Sequence, residues 1–490
     1  MKIILNYEMN YILKIQNWLI YLFLFLLPWQ TRLILRHGVL NEGSWEYGIV
    51  GIYTAEILLW LIFLLHFYLK IRSYILVKKD SSTGYCYELF YFIQDKFRQA
   101  VRNDSFWFVL FFIFLLARAF ISFDWLVGLQ QFWHLFEAGM ILWILKNNIR
   151  SSNSCHSDGV DDSLGCHSER NEPKANVVEE SLNKINIAFW FIFGLLFQAG
   201  FGIWQFLAQE TFASRFFGLT LHEAAIGGSS VVENFGGRWL RAYGGLPHPN
   251  VFGGFMLAGI VLILFSRILF EKQWQKIFFN SALPILTAAL FFSFSRSAWL
   301  GLIAAILVFL VFKKPRFQEK SVGLIFSIIL IVILSFIFKP ILAGRVSGTG
   351  RLEAQSTTER LSGYAEAMKL FKKNYFWGVG LGNYTLAAYN LHPGRPAWDY
   401  QPVHNAFVLA LVELGAVGFL FLFFIAKNLI WRASAHSRAR FHFNTILHNP
   451  FLLAFLPALL LDHYFWSLWA GAALSAVILF FYWISFQADI

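Results

Sequence analysis

Apolar runs close to 20 residues long alternate with short polar breaks along almost the whole chain. A helix needs about 20 predominantly apolar residues to cross a bilayer. Runs of that kind fall near 16–31, 48–69, 105–122, 126–145, 185–207, 250–269, 278–294, 298–312, 321–342, 404–426, 448–462 and 467–486. The first and eleventh give the weakest pattern, being short or interrupted by Pro28 and Pro457. The pattern predicts an all-α integral membrane protein with about 12 transmembrane helices. Repeated spans argue against a signal peptide ahead of a soluble body. No repeat of soluble-domain type is visible, so a single polytopic domain accounts for 1–490.

Composition removes the soluble alternative: 57% of residues are hydrophobic and 14% charged, against about 25% charged in soluble domains. The net charge of +11 fits cationic inner loops of a membrane protein, and no nucleic-acid partner is expected. Lysine and arginine concentrate in 70–104, 146–184 and 427–447, and also in 343–403. Long loops translocate whatever their charge, so the first three set the orientation. Both termini are therefore expected in the cytoplasm, with the long loops 208–249 and 343–403 outside. Cys86, Cys155 and Cys166 then lie in inner loops, where thiols stay reduced. The repeated "CHSD" and "CHSE" at 155–158 and 166–169 match no strong zinc spacing. Their surroundings, 146–184, read as a polar, disordered inner loop, and no metal is expected.

Chemistry gathers at the outer face. "RWLRAYGGLPHPN" supplies Arg238, Arg241, His248 and Asn250, and "SFSRSAW" centres on Arg296. "QPVHNAFVLALVELG" puts His404 and Asn405 just ahead of an apolar run, and "LLDHYFW" adds Asp462 and His463. Arg296 fits either a guanidinium snorkelling from a helix end or one held over a cavity by its tight hairpin. Ser356 and Glu359 read as a capping box opening an amphipathic helix with Leu361, Tyr364, Ala365, Met368 and Phe371 on its apolar side. That places Arg360 in a first turn, where Glu359 neutralises it or where it and the helix terminus bind phosphate together. Lys369, Lys372 and Lys373 suit the other end of that helix. "GVGLGNY" at 378–384 reads as a turn, since it follows no strand of a nucleotide-binding unit. Glu413 falls out of phase with His404 on a continuous helix, and is expected to face away from it and pack on another helix.

The succession "RAYGGLPHPN", "SFSRSAW", "ERLSGYAEAMKLFKKNYFWGVGLGNY", "VHNAFVLALVELG" and "LLDHYFWSLWAG" resembles the O-antigen ligase and O-antigen polymerase family. The resemblance spans about 235–470, roughly half the chain. It implies a type-C membrane glycosyltransferase in a bacterial inner membrane, working at the outer face without cofactor or metal. The implied partners are an undecaprenyl-diphosphate-linked glycan donor, a glycolipid or other envelope acceptor, and membrane lipids. His404 maps onto the family's essential histidine, and Arg241, Arg296 and Arg360 onto its diphosphate-binding arginines. His248, Asn250, Asn405, Asp462 and His463 are possible supporting residues. A polymerase extending lipid-linked repeats uses the same donor. A lipid-oligosaccharide transporter is the alternative of another class, although it calls for mid-membrane charges and internal symmetry. A scaffold has no need of a histidine facing several arginines.

Orientation is directly testable. Ser230→Cys and Asn390→Cys should react with an impermeant maleimide added outside, and Val160→Cys and Ala435→Cys should not. The reverse labelling would put the polar cluster in the cytoplasm and remove the reading built on it.

Overall fold

The computed structural model describes residues 2–77, 105–150, 172–234, 237–265, 272–311, 322–347, 351–435 and 450–487. Cys86, Cys155, Cys166 and the two "CHS" motifs lie outside the described residues. Each of the twelve apolar runs carries helix. The first half contains α1 (Lys2–Leu26), α2 (Thr54–Val77), α3 (Ser105–Phe120), α4 (Trp125–Arg150) and α5 (Glu172–Ala208). Next come α6 (Pro249–Phe265), α7 (Gln273–Phe292), α8 (Arg296–Val311), α9 (Val322–Ile337), α10 (Lys339–Ser347), α11 (Arg351–Lys373) and α12 (Tyr384–Leu391). The last are α13 (Ala406–Ala435), α14 (Pro450–Leu461), α15 (Tyr464–Ser467) and α16 (Trp469–Gln487). Among the described residues four helices are long and apolar enough to cross a membrane: Thr54–Arg72, Asn183–Ala208, Gln273–Phe292 and Ala406–Ile425. A bent pair, Val322–Ile337 with Lys339–Arg345, makes a fifth, and six further apolar helices are shorter. The chain is thus a mostly helical membrane protein, and twelve crossings remain an expectation.

The run at 321–342 is not one straight helix. It breaks by 90° between α9 and α10, with Pro340 in the first turn of α10, where a missing N–H is tolerated. The break turns Arg345 back over the bundle. The described ends of the 146–184 segment, up to Arg150 and from Glu172, are helical rather than loop.

α6 forms the centre, with every residue from Pro249 to Leu264 buried. Around it α8 packs on α14, α4 on α16, α9 on α7 and α1 on α5. At one end of the bundle the connections carry short sheets. β1 (Arg32–Arg36) pairs antiparallel with β4 (Val50–Tyr53), around a hairpin of β2 (Val39–Leu40) and β3 (Gly43–Ser44). The run at 48–69 therefore begins as a strand and turns helical only at Thr54. β5 (Val231–Asn234) pairs with β6 (Gly237–Leu240) ahead of α6.

Two local expectations change. α11 begins at Arg351, so Ser356 and Glu359 lie inside it and form no capping box; Glu359 Oε1 instead accepts from Gln355 Nε2 at 2.8 Å. Arg360 is consequently in mid-helix, and no helix terminus assists it. The buried side of α11 carries Glu353, Ala367 and Leu370, whereas Leu361, Tyr364 and Met368 are exposed. Meanwhile Asn405 caps α13, its Oδ1 accepting from the N–H groups of Phe407 and Val408 at 3.0 Å each. His404 therefore precedes the helix, and helical phase does not relate it to Glu413; both residues line the same cavity. Glu413 receives the Trp466 indole N–H at 2.7 Å, joining α13 to α15.

Backbone approach explains the glycines of "GVGLGNY". Gly415 interrupts α13 at φ 67°, and Gly378 sits against it at φ 70°. A Cβ on Gly378 would lie 2.3 Å from the Glu413 carbonyl oxygen. The close approach lets Val379 donate to Val412 O at 2.9 Å and Gly380 to Glu413 O at 3.1 Å. Gly378→Ala should therefore lower the melting temperature of the purified protein markedly, through both clash and strain. Gly363→Ala, in mid-helix with nothing within 4 Å of its Cβ, should raise stability by about 0.5–1 kcal/mol. Equal effects at the two positions would refute the close approach.

Candidate active site

The turn between α7 and α8 is the anchor. Its residues Ser293, Phe294 and Ser295 are fully buried, and Phe294 adopts φ 47°. The last carbonyls of a helix lack intrahelical donors and favour cations. Two guanidinium groups meet that need here: Arg241 Nε donates to Ser293 O at 2.7 Å and Arg345 Nε to Phe294 O at 3.0 Å. Glu353, reaching in from α11, bonds Arg345 and also lies 3.1 Å from Arg296. One buried carboxylate thus bridges two arginines.

A second chain of bonds leads from Arg241 to Asp462. Arg241 Nη2 donates to Asn250 Oδ1 at 2.6 Å, and Asn250 Nδ2 donates to Asp462 Oδ1 at 2.7 Å. The Ser297 hydroxyl supplies the other Asp462 oxygen. Burial raises the Asp462 pKa above the usual carboxylate range, while Ser297, Arg360, Asn250 and Arg241 all favour the charged form. Burial likewise lowers the Arg241 pKa, but guanidinium holds its proton in proteins.

Three histidines meet this network from different elements. His248 Nδ1 accepts from the Asn250 backbone N–H at 3.1 Å, so the neutral ring carries its proton on Nε2, 3.0 Å from Ser230 Oγ. The His404 and His463 rings lie 5.3 Å apart, and His463 Nδ1 is 2.7 Å from Ser467 Oγ. His404 Nδ1 is buried and makes no hydrogen bond. Burial first, and then the nearby Arg360 charge, push the His404 pKa down to about 4. Burial, His404 and Arg360 hold His463 well below the usual value as well. At neutral pH both rings are uncharged.

A cavity of about 580 Å³ opens beside these groups, lined by His248, Asn250, His404, Asp462 and His463. The N-termini of α6 and α13 end around it, and helix N-termini favour anions. Four arginines, Arg241, Arg296, Arg345 and Arg360, face two carboxylates, Glu353 and Asp462. The surplus is positive, which suits a ligand with clustered negative charge.

The expected residues Arg241, Asn250, His248, Arg296, Arg360, His404, Asp462 and His463 are brought to one end of the bundle. Asn405 is spent on capping α13, with its Nδ2 donating to Tyr364 Oη at 3.2 Å. Arg238 bonds Ala225 O at 3.3 Å from the β5–β6 hairpin, apart from the cluster. Sequence reasoning missed Arg345, Glu353 and Ser297. Ser297 sat within the "SFSRSAW" motif, but nothing in the sequence paired Arg345 of α10 with Glu353 of α11.

Residues 281–423 match a family model described as O-antigen ligase. The match covers the α7–α8 turn, Arg296, Arg345, Glu353, Arg360 and His404, and names the family that the sequence motifs resemble. A search of curated proteins found no match.

The bridging carboxylate yields a test. Glu353→Gln leaves two arginines without their counter-charge, and breaking a buried ion pair typically costs about 3–5 kcal/mol. Denaturation in detergent should show a loss of that order. Glu233→Gln, which removes the partner of the exposed Arg351, should stay within about 0.5 kcal/mol. A Glu353 effect as small as that would mean the arginines are not held by this carboxylate.

Proposed function

We propose that the protein transfers a glycan from an undecaprenyl-diphosphate-linked donor to a hydroxyl of an envelope acceptor, as an O-antigen ligase does. The observation that carries the reading is a His404 ring with a buried, unpartnered Nδ1 beside an arginine cluster with surplus positive charge. The acceptor oxygen attacks the anomeric carbon from the face opposite the phosphate, and the bond from that carbon to the phosphate oxygen breaks. The electron pair of that bond leaves with the lipid diphosphate, so the configuration at the anomeric carbon inverts. Arg241, Arg296 and Arg360 stabilise the departing charge, the type of electrostatic assistance that usually contributes most to catalysis. Arg345 holds Glu353 and adds to the same field. The acceptor proton passes to His404, whose uncharged ring can receive it.

Asn250 and Ser297 both hydrogen-bond Asp462 and hold it near Arg241, so Asp462 positions the clamp. The exposed apolar stripe of α11, followed by exposed Tyr375, Phe376 and Trp377, suits the lipid surface from which a polyprenyl donor would enter. In this reading the site lies at the outer face of the bacterial inner membrane, with both termini in the cytoplasm.

The pH profile follows from the His404 environment. Its folded-state pKa is depressed, so the active neutral form persists down to about pH 4 and is lost as pH falls through that value. The acid limb of kcat/KM should therefore lie near pH 4, not near the unperturbed ~6.5. Bound diphosphate adds negative charge and should move the kcat limb upward. His404→Ala should lose about 10²–10⁴-fold in rate while still binding donor. His404→Gln retaining near-normal turnover would reduce the histidine to orienting the acceptor.

The clamp has its own signature. Arg296→Ala and Arg360→Ala should cripple transfer with normal insertion and yield. Lysine at either site should restore only part, because it lacks the planar bidentate fork. Full activity with lysine at both would show that bulk charge suffices.

A further inference from the structure

The cavity extends well past the three histidines, to a wall made by the N-terminal third of the chain, outside the family match. That wall includes Arg32, Glu46, Tyr47 and Tyr53 from the β1–β4 connection, and His134 from α4. We propose that it is a carbohydrate subsite, in which Glu46, Tyr47 and His134 hold a sugar ring next to the reacting carbon. The inference rests on the transferase reading for which sugar arrives there, but not for whether one binds.

The connection is built to hold two side chains in place. Trp45 is buried and donates to Thr385 Oγ1 at 3.2 Å, tying the connection to α12. Gly48 lets the indole lie flat, since a Cβ there would be 2.0 Å from the ring. Arg36 grips both oxygens of Asp124, at 3.1 and 2.7 Å, and also Gly48 O at 3.1 Å. The Asp124 N–H in turn donates to Asn383 Oδ1 at 2.8 Å. Between these braces a short 3-10 turn, Glu46–Gly48, presents Glu46 and Tyr47 to the cavity.

The braced side chains have partners; the presented ones do not. Among the described residues, the carboxylate of Glu46, an exposed residue, makes no hydrogen bond or ion pair, and the Tyr47 hydroxyl makes no hydrogen bond. His134 is 5% exposed, and its Nδ1 is buried without a hydrogen-bond partner at the cavity wall. Its Nε2 lies 3.2 Å from Glu56 Oε1. Buried polar atoms are nearly always satisfied in native proteins, and this unpartnered Nδ1 makes the wall beside the cavity polar rather than apolar. The Tyr47 ring is 5.9 Å from that of His463, which is 5.3 Å from that of His404. The wall therefore adjoins the reacting centre.

Chemistry selects the ligand. A lipid chain would not be met by a carboxylate and an imidazole. A phosphate would be repelled by Glu46, whose carboxylate offsets the charge of nearby Arg32, and the cluster of four arginines lies elsewhere. A neutral polyhydroxylated ring uses carboxylate, imidazole and phenol as hydrogen-bond partners, and an aromatic face for its C–H side. The cavity volume of about 580 Å³ is ample for such a ring and falls within the usual range for small-molecule sites.

Binding can be measured without turnover. The full-length His404→Ala protein would be probed by saturation-transfer NMR with two lipid-free oligosaccharides. One is released by mild acid from the cell's own polyprenyl-diphosphate carrier, and the other is the deacylated acceptor glycan. At least one should bind, and its source identifies the subsite as donor-side or acceptor-side. Adding Glu46→Gln or Tyr47→Ala should weaken binding at least 10-fold, with the melting temperature unchanged for the isosteric Glu46→Gln. Arg296→Ala and Arg360→Ala should leave it intact. Binding of neither glycan, or binding indifferent to Glu46 and Tyr47, would overturn the subsite. Glycan binding that depends on this wall, in a protein whose wild type transfers nothing, would keep the subsite and remove the transferase reading.

Discussion

Mutual repulsion among four guanidinium groups is the constraint to which the end of this bundle answers. Burying charge is costly unless each ion is paired and hydrogen-bonded, and here the compensation comes from three kinds of group. Glu353 serves Arg345 and Arg296, the carbonyls ending α7 serve Arg241 and Arg345, and Asp462 serves Arg241 through Asn250. None of these partners neutralises the whole set. What is left over is a field that anions relieve, and Arg360 adds to the burial that keeps His404 uncharged.

The apolar bundle makes that field possible. α6 is buried along its length, and its N-terminus delivers His248 and Asn250 to the polar end. The bent pair α9 and α10 carries Arg345 in, and α11 carries both Glu353 and Arg360. Each polar side chain therefore belongs to an element whose position is fixed by packing elsewhere, the arrangement that holds a site in its working geometry.

Much of this was legible in the sequence. Helix-length apolar runs are governed by composition over some 20 residues, and the helices follow them. His404, Arg241 and Arg296 stood out because charged or titratable groups at the ends of apolar runs demand a reason. Arg345 and Glu353 did not, because their pairing depends on a 90° break and on residues flanking it, which no periodicity encodes. The Ser356–Glu359 spacing misled for a related reason. A capping box is a local preference worth about 1 kcal/mol, and it was outweighed by the burial of Glu353 one turn earlier. The β1–β4 connection was hidden because 50–53 are apolar enough to pass for the start of a helix.

Phe294 shows what this architecture asks of a single position. Its backbone is left-handed, a conformation costing a non-glycine residue about 1–2 kcal/mol, and its carbonyl is the acceptor for Arg345. Its ring is fully buried against Phe291, Phe206 and Trp299, with centroids 5.6–5.7 Å away. Backbone and side chain therefore favour different residues: glycine or asparagine would relax the turn, whereas only a large apolar group fills the space. Losing a buried phenylalanine ring costs about 3–5 kcal/mol, more than the strain it would relieve. The position is thus a local optimum with no single-step exit, and the chain tolerates permanent strain there in exchange for a carbonyl aimed at an arginine.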